Sequence, residues 1–142
     1  MPEMSIDRSS PGAAAIRCPN PSDPNKVDDL CVVVCGGADR RGDVLSSCEM
    51  YNERLNEWAP LGANMQHRRS SFALVTLGDR LYALGGYDDT TTLTDSIEVF
   101  YFAAGKWETL QGTLPFPMAE FGAVPVPQRA VLGYGPEEDE KE

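Results

Sequence analysis

The chain has few of the residues that metal sites and nucleic-acid-binding surfaces require. Its 142 residues include one histidine, and 12 Lys and Arg stand against 22 Asp and Glu, for a net charge of −10. Binding to a phosphate backbone or an anionic membrane needs clustered Lys and Arg. A zinc or copper site needs three or four ligands, which His67 alone cannot supply. We therefore predict no nucleic-acid partner, no membrane contact, no metal and no cofactor.

Motifs of catalysis are also missing. The sequence contains no Gly-x-Ser-x-Gly elbow of a serine hydrolase, and no Gly-x-Gly-x-x-Gly opens a helix. The glycine pairs that it does contain follow apolar strands, where they end the strand instead of holding a phosphate group. The sequence therefore favours a protein that is not an enzyme.

Long apolar runs and paired-cysteine motifs are absent as well. No stretch of about 20 apolar residues occurs, and the N-terminus lacks the apolar core of a signal peptide. The four cysteines (Cys18, Cys31, Cys35 and Cys48) form no Cys-x-x-Cys motif. These features predict an intracellular protein, cytoplasmic or also nuclear, with reduced thiols.

The two ends of the chain lack any periodic pattern. Residues 1–28 are rich in Pro, Ser and Ala, and five of the seven residues 136–142 are acidic. Such segments bury too little apolar area to offset their loss of conformational entropy on folding. We predict a disordered N-terminal arm over 1–28 and a disordered acidic tail over 136–142.

The middle of the chain consists of short apolar or alternating runs that end at turn residues. Runs of this length, rich in β-branched and aromatic residues, are typical of antiparallel strands. No convincing helix is found, so we predict an all-β fold. The predicted strands are 31–35, 47–52, 57–61, 71–77, 80–84, 96–102, 106–110 and 121–126.

A repeat with an offset of 49 residues runs through this middle section. Gly36-Gly37 recurs as Gly85-Gly86, and the same shift takes Tyr51 to Phe100 and Trp58 to Trp107. No gap is needed. A glycine pair, an aromatic and a tryptophan in one register indicate a structural repeat.

These residues resemble Kelch repeats, which build β-propellers. The resemblance implies a partial propeller of about two four-stranded antiparallel blades: a partial blade over 29–63, a full blade over 64–112 and a degraded partial blade over 113–135. Gly36, Gly37, Gly85 and Gly86 would allow close approach of backbone, and Tyr51, Trp58, Phe100 and Trp107 would fill the space between sheets. Within the repeat Cys35 and Cys48 occupy apolar positions, which favours core packing, whereas Cys31 is expected to be more exposed.

The resemblance also implies a non-catalytic protein-interaction module. In Kelch-like proteins partners bind the loops between the second and third strands and the links between blades. Arg69 either belongs to this set or braces the neighbouring blade. Carried over, the partner-binding residues are Asp39, Arg40, Arg41, Asp43, Gln66, His67, Arg68, Arg69, Tyr87, Asp88 and Asp89.

Several functions remain open at this point. Many Kelch-like proteins are substrate adaptors of ubiquitin ligases and others bind actin, but the BTB and BACK domains of the adaptors have no counterpart in this sequence. The chain could instead be a fragment of a longer Kelch-like protein without a function of its own. A third option is self-association through open blade faces, because the leading three strands lack an inner strand that the trailing copy could supply.

Overall fold

Two antiparallel sheets of four strands each make up the fold. The computed structural model describes residues 2–23 and 25–126, and within them it contains no helix. β1 to β4 form blade 1 in the order β1-β2-β3-β4, and β5 to β8 form blade 2 in the order β5-β6-β7-β8. This confirms the all-β prediction. The strands are β1 Gly12–Cys18, β2 Asp29–Cys35, β3 Cys48–Asn52, β4 Glu57–Pro60, β5 Ala73–Leu77, β6 Arg80–Leu84, β7 Ser96–Tyr101 and β8 Lys106–Thr113.

Blade 1 has an inner strand, and it comes from the segment predicted to be a disordered arm. β1 pairs with β2 along its whole length, from Gly12 opposite Cys35 to Cys18 opposite Asp29. The prediction of disorder over 1–28 is therefore wrong. Composition misled it, because Ala13, Ala14 and Ala15 carry no strand signal of their own. Ladder hydrogen bonds to β2, together with burial of Ile16, hold the strand in place.

The hidden strand also removes the reason given for exchange of strands between copies. Blade 1 already contains four strands, so no trailing segment is needed to complete it. The described part of the third copy, 121–126, forms no strand either, although one was predicted there. A strand needs a ladder partner, and within the described residues none pairs with this segment. The acidic tail 136–142 lies outside the described residues.

The main core lies between the two blades. Side chains alternate between the two faces of a strand, so each blade turns one set toward its neighbour. Leu81 and Ala83 of β6 are fully buried, and Phe100 and Trp107 are each 2% exposed. They pack in one cluster with residues of blade 1, which are Ile16, Val33, Cys35 and Cys48. Packing of sheet on sheet therefore fixes the position of blade 2 against blade 1.

Each glycine pair follows the second strand of its blade. There it lies against the backbone of the segment that leads into the first strand of the same blade. Gly37 and Gly86 adopt φ of +86° and +96°, a region that residues with a Cβ rarely enter. A Cβ on Gly86 would lie 2.6 Å from the carbonyl oxygen of Ser70, and one on Gly37 would lie 2.6 Å from that of Ser9. Only glycine permits this approach.

Equivalent aromatic pairs differ in burial between the blades. The ring centroids of Tyr51 and Trp58 are 5.4 Å apart, and those of Phe100 and Trp107 are 5.3 Å apart. The pair in blade 2 faces blade 1 and is buried, whereas the pair in blade 1 is half-buried. Trp58 there donates a hydrogen bond from Nε1 to the carbonyl oxygen of Pro2, at 3.0 Å. Blade 1 therefore has an open face that the N-terminal residues cover only in part.

All four cysteines form disulfides, contrary to the prediction of reduced thiols. Cys18 is joined to Cys31, and Cys35 is joined to Cys48. Cys18 and Cys31 are 0% and 1% exposed, so the expected exposure of Cys31 is also wrong. Antiparallel pairing explains the result, because it places Cys35 directly opposite Cys48 on the next strand. The alignment of the repeat showed apolar positions but not which of them face each other.

Replacement of Leu81 tests the core between the blades. Leu81→Ala removes a fully buried side chain, and the resulting cavity should lower the free energy of unfolding by about 2–5 kcal/mol. Leu77→Ala is the matched control, since Leu77 lies on the adjoining strand and is 51% exposed. Surface changes of that kind typically alter stability by less than about 0.5 kcal/mol. Urea unfolding followed by tryptophan fluorescence measures both; equal losses would contradict the assigned core.

Candidate partner-binding rim

The predicted loops and links lie along one rim of the two blades. We call residues 4–10 link 1, residues 65–71 link 2 and residues 114–120 link 3. The loop 38–44 of blade 1 pairs with link 1 through Ser9 and Ala38, and the loop 87–93 of blade 2 pairs with link 2 through Ser70 and Tyr87. Link 2 also runs beside blade 1, because the Arg69 amide donates to the Leu45 carbonyl. The candidate residues therefore form a continuous surface.

Each loop is organised by one aspartate. Oδ1 of Asp39 accepts hydrogen bonds from the amides of Arg41 and Asp43, at 2.9 and 3.0 Å. Oδ1 of Asp88 accepts from the amides of Thr90 and Thr92, at 2.8 and 3.0 Å. The two loops thus share one turn, in which the carboxylate holds the backbone. Hydrogen bonds from the Thr90 side chain, followed by amide donors, hold the pKa of Asp88 below its ordinary value.

Arg69 is buried beneath the rim, where it joins link 2 to blade 2. Its side chain is 0% exposed and forms an ion pair with Glu98, with Nε and Oε2 2.9 Å apart. Nη1 donates to the carbonyl oxygens of Gly85 and Ser96, and Nη2 donates to the hydroxyl of Ser96. Burial lowers the pKa of Arg69, although Glu98 opposes this shift. A partner cannot reach this side chain, so its place in the partner-binding set is wrong and the bracing role is the one found.

Arg8 makes the same set of contacts in blade 1. It forms an ion pair with Glu49, and its Nη1 donates to the carbonyl oxygens of Gly36 and Ser47 at 3.0 and 2.9 Å. Nη2 donates to the Ser47 hydroxyl at 2.9 Å. Burial would raise the pKa of Glu49, but hydrogen bonds from Ser5 and Arg8 outweigh it and hold the pKa below its ordinary value. We call each such set of contacts the arginine clamp.

Glu98 also accepts a hydrogen bond from the backbone of link 2, at Gln66. The amide of Gln66 donates to Oε1 of Glu98, as the amide of Ser5 does to Glu49 in blade 1. Oε1 of Gln66 accepts from the amide of Thr109 on β8 at 3.0 Å, and His67 Nε2 lies 3.3 Å from the Thr109 hydroxyl. Gln66 therefore ties link 2 to the outer strand of blade 2.

The remaining candidates are accessible along the rim. Arg41, Asp43, Arg68 and Asp89 are exposed, and Tyr87 is half-buried. Arg40 is exposed and pairs with Asp7 of link 1. Arg68 donates from Nη1 to the carbonyl oxygen of Val44 at 3.2 Å, which brings it close to the loop of blade 1.

Three of these accessible residues are arginines, in a chain of net charge −10. Arg40 and Arg41 lie on the blade 1 loop, and Arg68 lies on the adjoining link. Shallow depressions of about 260 and 440 Å³ lie beside Arg40, where link 1 meets the blade 1 loop. Open depressions suit a protein surface better than a small ligand, which is normally enclosed on most sides.

The described residues contain no group of three or more His, Cys, Asp or Glu side chains placed to hold a metal ion. Within the same residues, no helix has the length and apolar character that crossing a membrane requires. The rim consists of loops held on two sheets, the kind of position where binding residues commonly collect.

Sequence reasoning missed Arg8 and the clamp that it forms. A signal was present, because Arg8-Ser9-Ser10 repeats as Arg69-Ser70-Ser71. The shift between these two triplets is 61 residues, whereas the rest of the repeat shifts by 49, a difference of 12. Eight of the extra residues lie in the connection between β1 and β2, and the other four make these two strands two residues longer each than β5 and β6. A search for an ungapped register could not cross that insertion.

The sheets, the glycine pairs and the links define a class of protein, the β-propeller built from four-stranded blades. Comparison with known proteins names the family. A family model described as Kelch motif matches residues 68–112. The chain is 34% identical to Kelch-like protein 21 of Bos taurus over 103 residues, which cover 68% of this chain and 17% of that protein. The chain thus belongs, as a partial member, to the Kelch-repeat family.

Further relatives agree with this assignment. Alpha-scruin of Limulus polyphemus is 32% identical over 75 residues, which cover 53% of this chain and 8% of that protein. Kelch-like protein 8 of Caenorhabditis elegans is 30% identical over 100 residues, which cover 65% of this chain and 14% of that protein. The chain spans less than a fifth of the length of these relatives. Together the repeats and the relatives support a protein-interaction module.

Adjacent arginines of link 2 allow a matched test of the clamp. Arg69→Ala leaves Glu98 buried without its cation, which should cost about 3–5 kcal/mol in the free energy of unfolding. Arg68→Ala removes an exposed side chain and should cost less than about 0.5 kcal/mol. Chemical denaturation of both variants checks the difference; equal stabilities would contradict the clamp.

Proposed function

We propose that the chain binds a protein partner through the rim, with Arg40, Arg41 and Arg68 as the principal contacts. The observation that carries this proposal is their accessibility on adjacent, well-anchored segments. Arginine is enriched at protein interfaces, and its planar guanidinium pairs with carboxylates. Loops that are already ordered lose less entropy on binding. Asp43, His67, Tyr87 and Asp89 flank these arginines and complete the proposed contact surface.

For the wider role, we propose substrate binding of the kind found in ubiquitin-ligase adaptors, with actin binding as the alternative. Both roles come from the resemblance to Kelch-like proteins. The chain spans less than a fifth of the length of those relatives, so each role is proposed for a larger assembly that contains these blades. Co-sedimentation with filamentous actin separates the two. We also propose that the chain itself is non-catalytic and works inside the cell, in the cytoplasm or also in the nucleus.

A triple variant tests the rim. Arg40→Ala, Arg41→Ala and Arg68→Ala together should reduce recovery of the bound partner by about tenfold or more, because arginines are frequent hot spots. The control variant is Arg17→Ala, Arg80→Ala and Lys106→Ala, which removes the same charge from exposed positions on strands away from the rim. Affinity capture with the full chain, quantified by mass spectrometry, measures recovery. Equal recovery by the two variants would overturn the assigned contacts.

We further propose that copies associate weakly through their open blade faces. Blade 1 leaves Leu30 39% exposed on the face that Trp58 shares, and blade 2 leaves Leu110 38% exposed on its outer strand. Apolar surface of this kind favours contact with another sheet. In another copy, link 1 could bind beside the glycines of blade 2. Link 3 already occupies that place, since the Gly86 amide donates to the Met118 carbonyl, so the two links would compete for it and the association should be weak.

Light scattering measures this association. The mean mass should rise with protein concentration, and Trp58→Ala should reduce the rise because it removes apolar area from the open face. A chain that stays monomeric at high concentration would overturn the proposal.

A further inference from the structure

The covalent links of this protein are confined to one of two equivalent blades. The disulfide between Cys18 and Cys31 joins β1 to β2 with Cα atoms 6.0 Å apart, and the one between Cys35 and Cys48 joins β2 to β3 with Cα atoms 4.1 Å apart. Blade 2 has the same strand order and contains no cysteine. Its leucine and isoleucine, Leu84 and Ile97, pair at the position that Cys35 and Cys48 occupy in blade 1. A difference in the strands or connections of the two blades should explain why only blade 1 has disulfides.

β1 has a weaker strand preference than the matching inner strand of blade 2. Its first half contains Ala13-Ala14-Ala15, where the inner strand of blade 2 has Leu74-Val75-Thr76. Alanine has a low preference for strands and buries little area. Ala13 and Ala15 are moreover exposed on the open face of blade 1, so half of the strand contributes almost no packing.

The connection that follows β1 adds to this weakness. The ten residues 19–28 separate β1 from β2, whereas only Gly78 and Asp79 separate β5 from β6. A longer loop costs more entropy to close, by a logarithmic term. A two-residue hairpin fixes register, and a ten-residue connection does not.

The first disulfide closes this long connection at its base. Cys18 is the last residue of β1, and Cys31 is the third residue of β2. A cross-link there removes the open conformations of the loop from the unfolded ensemble. Compared with β5, the inner strand of blade 1 has poorer packing and a longer connection, and it is this strand that is held covalently.

We propose that blade 1 is an oxidatively latched unit, in which β1 stays docked on β2 only while the disulfide between Cys18 and Cys31 is closed. The second disulfide joins β2 to β3 within the sheet onto which β1 is latched and is not part of the latch. Because link 1 leads directly into β1, opening the latch also withdraws Arg8 from its clamp with Glu49. The reduced chain then keeps blade 2 folded, with its own clamp around Arg69.

The chemistry is thiol–disulfide exchange. A thiolate of Cys18 or Cys31 attacks a small external disulfide such as glutathione disulfide, and one thiol leaves. The second cysteine then displaces the other thiol from the mixed disulfide. Two cysteine thiols have lost two electrons and two protons, and one external disulfide has become two thiols. Opening is the reverse reaction with an external thiol.

The position of the sulfurs controls the rate of this exchange. All four cysteines are at most 4% exposed, and Cys35 and Cys48 belong to the core that blade 2 covers. A reductant reaches buried sulfur only when the structure opens. Cysteines of an intracellular protein that pair at all are usually transient and redox-responsive, and burial makes this pair slow to respond.

Hydrogen exchange of the full chain tests the latch. The oxidised form is prepared with glutathione disulfide and the reduced form by refolding in excess dithiothreitol, and mass spectrometry reads each peptide. Reduction should speed amide exchange over β1 by about 100-fold, the effect of opening a loop of this size, and leave β6 and β7 within about threefold. A Cys18→Ser, Cys31→Ser variant should reproduce the fast exchange of β1 without reductant.

The Cys35→Ser, Cys48→Ser variant is the matched control, because it removes the other disulfide. It should keep slow exchange over β1. Equal exchange over β1 in the oxidised and reduced chains would overturn the proposal, as would equal acceleration of β1 and β6, which indicates global unfolding. Free thiols at Cys18 and Cys31 after treatment with glutathione disulfide, detected by alkylation, would overturn it as well.

Discussion

The arginine clamp is the contact on which the rest of the structure depends. In each blade one buried arginine holds the glutamate of the third strand and the carbonyl oxygen that ends the second strand, as Arg69 does with Glu98 and Gly85. A buried charge without a partner is costly, so the pair holds together or the region unfolds. Because the arginine belongs to a link, the clamp sets where a link enters its blade. The position of the rim follows from that.

The clamp, the glycine pairs and the core between blades support one another. The links must approach the second strand closely for the arginine to reach its acceptors, and Gly37 and Gly86 make room for that backbone. The sheets then stack with Leu81 and Phe100 buried against blade 1. Charge and hydrophobic packing therefore act at different places, the first at the rim and the second between the sheets. The exposed arginines of the rim rest on this frame, so the proposal that they bind a partner can be tested without unfolding the chain.

Predictability from the sequence differed between the two blades. The predicted strands of blade 2 lie close to the observed ones, and the predicted strand 80–84 begins and ends at the same residues as β6. The strands of this blade are apolar and its turns are short, so the pattern was easy to detect. Blade 1 was found only from β2 onward, since an alanine-rich strand and a long connection hide its start. In the candidate site, the exposed Arg40, Arg41 and Arg68 stay predictions. Gln66, Asp39 and Asp88 instead make contacts within the protein that no pattern of residue types could reveal.

The repeat of glycines, aromatics and tryptophans was enough by itself to determine the family and the all-β class, because strand period and turn residues are local properties. The net charge and the single histidine argue against a nucleic-acid partner and a metal site, and both absences stay predictions. Only the tertiary structure decided that Arg8-Ser9-Ser10 is a link, that Arg69 is buried, and that the four cysteines pair. Each of these depends on which residues face each other across strands or blades. Such contacts join positions up to 61 residues apart, as between Thr76 and Ala15, and an insertion of 12 residues was enough to hide the repeat of Arg8.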